Sequence, residues 1–134
     1  MNADEIKKRT KAFALQIIRL ADDLPKSRSA NVIANQLMRS ATSVGANYRS
    51  ACRARSRADF IAKMGIVEEE ADESVYWIEL LVDSGSVGDD QVSAMLAEAR
   101  EIVSIAVSSI KTARRNAVAE KPRQSTTRNQ QSAL

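Results

Sequence analysis

The carboxylates between Glu68 and Glu73 are the residues whose types and spacing most suggest chemistry. The cluster comprises Glu68, Glu69, Glu70, Asp72 and Glu73. Since Glu69 and Glu73 are one helical turn apart, they could hold a hard cation such as Mg²⁺. The sequence contains no histidine, the commonest general base and metal ligand. The alternative is a solvated or salt-bridged helix face, and we expect no metal site and no catalytic residue.

The single cysteine, Cys52, allows two interpretations. Arg49, Arg53 and Arg55 lie close in sequence and would favour a reactive thiolate. Its position beside an apolar stripe instead predicts a small buried side chain. No GxxxxGK[ST] loop and no GxGxxG motif occurs, so no nucleotide cofactor is expected. Together these features predict a protein that is not an enzyme.

A cluster of arginines suggests a different activity, the binding of phosphate groups. Its members are Arg49, Arg53, Arg55 and Arg57, and Arg114 and Arg115 follow near the C-terminus. Such a surface suits a nucleic-acid backbone without base reading. Only 4% of the residues are aromatic, so stacking platforms for single-stranded bases are scarce. The alternative is that the arginines pair with acidic residues of another helix or subunit.

Charge is divided unevenly along the chain, although the net charge is only +3. Residues 1–57 hold 12 Lys and Arg against 4 Asp and Glu, residues 58–110 hold 2 against 12, and residues 111–134 hold 6 against 1. Four cations, Lys7, Lys8, Arg9 and Lys11, lie in the first turns of a predicted helix, where the helix dipole disfavours them. They invite an anionic partner or form a solvated face. The basic and acidic segments either pair with each other within the molecule or present two surfaces of opposite charge.

Apolar residues recur at steps of three and four, which predicts four amphipathic helices. Asn2 with Glu5 marks the start of the first helix, and Pro25 marks its end. Ser27 or Ser29 can cap the second helix, which we expect to reach about Ala54. The small residue Gly45 in this helix predicts a close approach by another helix. Further boundary signals are Ser56 for the third helix, and Gly85, Gly88, Asp89 and Asp90 between the third and fourth.

Short connections favour an antiparallel up-down four-helix bundle in an all-α fold. We expect this bundle to comprise residues 1–118. The apolar pattern stops there, and residues 119–134 predict a disordered basic tail. The tail either contacts phosphates or only adds solubility.

A polar stripe accompanies the apolar face of the second helix. We expect a structural polar network that joins it to the third helix or to a neighbouring subunit, formed by Gln36, Arg39, Ser43, Asn47, Glu69 and Glu73. The alternative is a stripe that faces water. In the third helix, Tyr76 and Trp77 are about 100° apart around the axis, so they cannot share one core seam. With Leu80 they predict an oligomer interface, whereas a wide core in a monomer is the alternative.

The segment from Gln36 to Trp77 resembles a known protein family. The matching residues are Gln36-Leu37-Met38-Arg39-Ser40, Ser43-Val44-Gly45-Ala46-Asn47, Phe60-Ile61, Glu69-Glu70-Ala71-Asp72-Glu73-Ser74 and Trp77. They are similar to the bacterial four-helix-bundle proteins encoded by intervening sequences of 23S ribosomal RNA genes. The resemblance implies a ring-like homopentamer. It also implies kinship with accessory factors of diversity-generating retroelements, which bind nucleic acid and a reverse transcriptase.

These observations together predict a non-enzymatic homo-oligomer that binds RNA or another nucleic acid through its arginines. The alternative function is a protein-interaction scaffold, for example a partner of a reverse transcriptase or of a ribosome component. No apolar run is long enough to cross a membrane, and a lone cysteine with no signal-peptide pattern suggests the cytoplasm.

Overall fold

Four helices and their short connections form the computed structural model, which describes the backbone of residues 1–132 and the side chains of residues 1–119. The helices are α1 (Ala3–Asp23), α2 (Arg28–Cys52), α3 (Arg57–Asp83) and α4 (Asp89–Ser132). No strand occurs in residues 1–132, so the described chain is all-α as predicted. Of the predicted disordered tail, residues 119–134, the structure describes the backbone to Ser132 as part of α4. The side chains of residues 120–134 lie outside the described residues, and the tail stays a prediction.

Each of the first three helices begins at a side chain that caps its free N–H groups. Asn2 Oδ1 accepts a hydrogen bond from Glu5 N at 2.9 Å. Ser27, and not Ser29, caps α2 by accepting from Ala30 N at 3.1 Å. Ser56 Oγ accepts from Asp59 N at 3.0 Å and starts α3. The predicted starts are therefore confirmed, and α2 ends two residues before the expected Ala54.

The turn after α3 depends on Gly85, whose φ of 79° lies in the left-handed region. Gly85 N donates to Val82 O at 2.9 Å, and Ser86 N donates to Leu81 O at 3.0 Å. These two bonds satisfy the last carbonyls of α3 in the Schellman arrangement. Five residues connect the end of α3 to the start of α4.

The core lies between the helices and is built from the predicted apolar stripes. α3 packs on both α2 and α4, α1 packs on α2, and the contact between α1 and α4 is the smallest. The largest fully buried side chains include Phe13, Ile17, Leu37, Met64, Ile78, Leu81 and Ile102. Ile102 on α4 belongs to this core, whereas its neighbour Val103 is only partly buried.

One buried hydrogen bond and one close approach of two helices fix how α2 packs on its neighbours. Ser40 and Ser74 are fully buried, and their hydroxyls are 2.9 Å apart across the α2–α3 seam. At the α1–α2 crossing, a Cβ added to Gly45 would lie 3.2 Å from Thr10 Oγ1. The predicted close approach at Gly45 is therefore confirmed, and the neighbour is α1.

Candidate nucleic-acid interface

The corner between α2 and α3 is ordered by a carboxylate that lies among basic residues. The Asp59 carboxylate accepts hydrogen bonds from Lys63 Nζ at 3.1 Å and from the backbone N of Arg55 at 3.2 Å. The bond from Lys63, followed by the bond from Arg55, lowers the pKa of Asp59. The corner therefore holds Arg55 at a defined place although its side chain is exposed.

An open cleft of about 510 Å³ lies beside this corner and is lined by five cations. Lys7 comes from α1, Arg49 and Arg53 from α2, Arg55 from the corner, and Lys63 from α3. Ala46 and Ser50 complete the lining, and no carboxylate belongs to it. A concave surface with charges of one sign concentrates the field and attracts ligands of the opposite sign.

A second cleft, of about 470 Å³, continues the first between α1 and α2. The two clefts share Lys7, Ala46 and Arg49. The second adds Lys8, Thr10, Lys11, Ala14, Thr42 and Gly45. We call the joined clefts the basic groove, and its cations are Lys7, Lys8, Lys11, Arg49, Arg53, Arg55 and Lys63. From Thr42 to Arg53 it follows α2 for about 16 Å, at 1.5 Å per residue.

The arginines of the basic groove do not pair with α3 within the molecule. Arg49, Arg53 and Arg55 are exposed, and among residues 1–119 no carboxylate forms an ion pair with any of them. Lys63 pairs with Asp59 of its own helix at 3.1 Å. For Arg49, Arg53 and Arg55, the alternative interpretation, pairing with carboxylates of another helix, is therefore not realised within residues 1–119.

The remaining predicted arginines lie elsewhere. Arg57 lines a separate cleft of about 580 Å³ between α3 and α4, together with Phe60, Ser108, Ser109, Thr112, Ala113 and Asn116. Arg114 and Arg115 are exposed on α4 and line neither part of the basic groove. The groove also includes Lys63, which was not predicted as a binding residue because it lies in an acidic segment of the sequence. The lysines of the first turns of α1 join the groove as well.

The predicted polar network is divided between two kinds of contact. Arg39 on α2 pairs with Glu70 at 3.1 Å and with Glu73, both on α3, and it also donates to Gln36 Oε1 at 3.3 Å. Ser43 and Asn47 instead bond to carbonyls of α2 itself, Arg39 O and Ser43 O, both at 2.8 Å. Glu69 is exposed and forms no ion pair among residues 1–119, so its place in the network is taken by Glu70.

The predicted interface residues differ in exposure. Tyr76 is 55% exposed, whereas Trp77 and Leu80 are partly buried against the core. The rings of Tyr76 and Trp77 meet edge to face with centroids 4.9 Å apart, and Trp77 Nε1 donates to Glu73 Oε2 at 3.0 Å. Trp77 is thus tied to the α2–α3 seam, and Tyr76 points to the surface.

Cys52 is exposed, so the prediction of a small buried side chain was wrong. Ala51 occupies the buried position of this turn, and the next residue lies about 100° further around the helix. Burial raises the pKa of the nearby Tyr48 hydroxyl, and the neighbouring Cys52 raises it further. Within the described residues, no group of three or more Cys, Asp or Glu side chains is arranged to hold a metal ion.

Known proteins are similar to most of this chain. Residues 3–108 match the family model of the 23S rRNA-intervening sequence protein. The chain belongs to this family. Among solved structures, it is similar to a protein of unknown function from the S23 ribosomal protein family of Bacteroides thetaiotaomicron VPI-5482, with 38% sequence identity and a TM-score of 0.74.

That similarity covers 79% of this chain and 98% of the solved structure. No curated protein matches the sequence. The 23S rRNA-intervening sequence family model ends at residue 108, so the match includes α1, α2, α3 and the first part of α4. In the described residues, none of the helices is both long enough and apolar enough to span a membrane.

Proposed function

We propose that this member of the 23S rRNA-intervening sequence family is a non-enzymatic, cytoplasmic RNA-binding protein that contacts phosphates through the basic groove. The observation that carries the proposal is the cleft at the α2–α3 corner, where five cations line one surface and none of its three arginines pairs with a carboxylate in residues 1–119. Three helices and a corner contribute to it, so the folded bundle is needed to assemble the charge.

Binding to such a groove is electrostatic and independent of base identity. A phosphate backbone in the groove releases condensed counterions, and for a single strand the logarithm of the binding constant falls with the logarithm of salt with a slope of about −0.7 per neutralised phosphate. If the five cations of the corner cleft each meet one phosphate, the slope is about −3.5. Few aromatic side chains are present to stack on bases, which favours backbone contact.

A gel shift with several RNA folds, measured over a range of salt concentrations, tests the proposal. Replacing Arg53→Ala together with Arg55→Ala should reduce the salt slope by about 1.4, or about 0.7 per lost phosphate contact, and weaken binding to every RNA alike. The matched control is Lys26→Ala with Arg28→Ala, which removes the same charge at the other end of α2. No shift at low salt, or equal losses in both variants, contradicts the proposal.

We further propose that the helices form an antiparallel up-down bundle and that copies assemble into a ring, as the family resemblance implies for a homopentamer. Connections of four, four and five residues between successive helices support the up-down order. Exposed Ile66 and Tyr76 on α3 support a surface that is covered by another chain. Light scattering measures the subunit number directly.

A scaffold function has its own supporting observation. Tyr76, with Trp77 and Leu80 beside it, gives α3 an aromatic surface suited to a protein partner. By resemblance, a reverse transcriptase or a ribosome component is the kind of partner expected. If binding to such a protein is lost in Tyr76→Ala and kept in Arg53→Ala, the scaffold function is favoured over RNA binding.

A further inference from the structure

The outer face of α3 carries a stripe that contains both apolar and acidic side chains. Its members are spaced by three or four residues and are all exposed: Ala62, Ile66, Glu69, Asp72, Tyr76, Glu79 and Asp83. We call it the acidic stripe. Ile66 is 42% exposed and Tyr76 is 55% exposed, so its apolar members are not covered by this chain. Only Glu79 forms an ion pair among residues 1–119, with Arg100 at 3.2 Å.

The α1–α2 half of the basic groove has the complementary character. Its floor is made of small side chains, Ala14, Ala46 and Gly45, where α1 and α2 approach closely. Its rim carries Lys7, Lys8, Lys11 and Arg49. Small floor residues let the backbone of a docked helix come near, and the rim places cations where acidic side chains of that helix would lie.

These two surfaces cannot meet within one molecule. α1 contacts α2 and α4 but does not contact α3 in the described part of the chain. The lysines in the first turns of α1 therefore have no access to the carboxylates of the acidic stripe.

We propose that the acidic stripe of one copy docks in the α1–α2 half of the basic groove of a second copy. The contact joins two different surfaces, so it is head-to-tail and repeats from copy to copy until the rotation closes. The inference rests on the proposed self-association and adds the surfaces that mediate it. RNA binding is proposed at the corner cleft, whose cations overlap this half of the groove only at Lys7 and Arg49.

Sedimentation velocity of charge-reversed variants tests this contact. All proteins are first treated with nuclease to remove bound nucleic acid. Lys8→Glu with Lys11→Glu should raise the dissociation constant of the assembly at least about tenfold, and Glu69→Lys with Asp72→Lys should do the same. The variant that carries all four changes restores opposite charges across the contact. Its dissociation constant should return to within about threefold of the parent protein.

Two control variants change the same charge elsewhere. Lys26→Glu with Arg28→Glu matches the groove variant, and Asp22→Lys with Asp23→Lys matches the stripe variant. Neither should alter the assembly. Circular dichroism of every variant verifies that the helices are retained, and rescue by the combined variant cannot arise from misfolding.

The inference is overturned if the parent protein is monomeric at all accessible concentrations. It is also overturned if either charge-reversed variant assembles normally, or if the combined variant is no better than the separate ones. The RNA proposal has a separate readout: it fails when no RNA shifts at low salt, or when Arg53→Ala with Arg55→Ala weakens RNA binding no more than the control variant does.

Discussion

The guanidinium of Arg9 on α1 donates two hydrogen bonds to the carboxylate of Glu98 on α4, at 2.7 and 2.8 Å. α1 and α4 share the smallest contact of any neighbouring helices, so this paired geometry is a principal polar link between them. The hydrogen bonds to Glu98 raise the pKa of Arg9. Both side chains are partly shielded, with 29% and 22% exposure, which strengthens the pair relative to a fully exposed one.

A double-mutant cycle should detect this coupling. Arg9→Met and Glu98→Gln keep the approximate side-chain volumes and remove the charges. We expect a coupling energy of about 1 kcal/mol in the free energy of unfolding, because the pair is bidentate and half-shielded. Urea denaturation of the parent, the two single variants and the double variant measures it.

The control for that cycle is the pair Arg100 and Glu79, which joins α3 and α4 by one bond of 3.2 Å. Its side chains are 58% and 47% exposed, so solvent screens the attraction. We expect a coupling too small to measure. Equal coupling energies in the two cycles would show that bidentate geometry and shielding do not matter here.

Two glycines in helix interiors should respond in opposite ways to alanine. Gly65 on α3 has nothing within 4 Å of an added Cβ, so Gly65→Ala should stabilise the protein by about 1 kcal/mol through helix propensity. Gly45→Ala should destabilise it, because the new Cβ would lie 3.2 Å from Thr10 Oγ1. Thr10 is 1% exposed and is held by bonds to Ile6 O and Lys7 O, so it cannot move aside.

Thermal unfolding of the two glycine variants measures both effects. Adding Thr10→Ala to Gly45→Ala should remove the steric conflict and recover part of the lost stability. If Gly45→Ala is as stabilising as Gly65→Ala, the α1–α2 crossing is looser than this geometry indicates.

The elements that the sequence predicted best are those set by local chemistry. Asn2, Ser27 and Ser56 each cap a helix through a bond to a residue three positions on, so their role needs no knowledge of the fold. The apolar spacing likewise predicted the helices, because helix geometry alone gathers such positions on one face, and Phe13 and Ile17 are buried on that face of α1.

The candidate site depended on contacts between distant segments and was predicted only in part. Arg49, Arg53 and Arg55 form one cluster because they are close in sequence at the end of α2 and in the corner that follows it. Lys63 on α3 joins them through the fold of the corner, while Arg57 lines the cleft on the α4 side. The choice of Glu70 over Glu69 as the partner of Arg39 is set by the rotation of α3, which spacing alone does not fix to one residue.

Asp59 should make the stability of the protein depend on pH in the acid range. Its pKa is lowered from 3.8 by the hydrogen bonds from Lys63 and from the Arg55 backbone, so the folded state favours the charged carboxylate. The resulting stabilisation is present above 3.8 and is lost as the pH falls through the lowered pKa of the folded state. Asp59→Asn should therefore be less stable than the parent at neutral pH, and the difference should shrink in acid.

Urea midpoints followed by circular dichroism between neutral and strongly acid pH measure that difference. Asp22→Asn on α1 is the control, since it removes an exposed carboxylate that has no hydrogen bond within residues 1–119 and lies outside the acidic stripe. A stability difference between parent and Asp59→Asn that stays constant across the pH range would contradict the prediction.

Glu73 connects Arg39 to Trp77, the single tryptophan, so fluorescence can report on the α2–α3 seam. Excitation of indole moves electron density away from the pyrrole nitrogen, and a carboxylate 3.0 Å from Nε1 therefore stabilises the excited state. Glu73→Leu should shift the emission to shorter wavelength. Arg39→Ala removes the ion pair but leaves the carboxylate beside the indole, so it should not produce that shift.

Both variants should lose on the order of 0.5 kcal/mol of stability, because Arg39 is 49% exposed and the pair is screened. If Arg39→Ala shifts the emission as far as Glu73→Leu does, the position of Glu73 depends on the guanidinium and not on its own bond to Trp77.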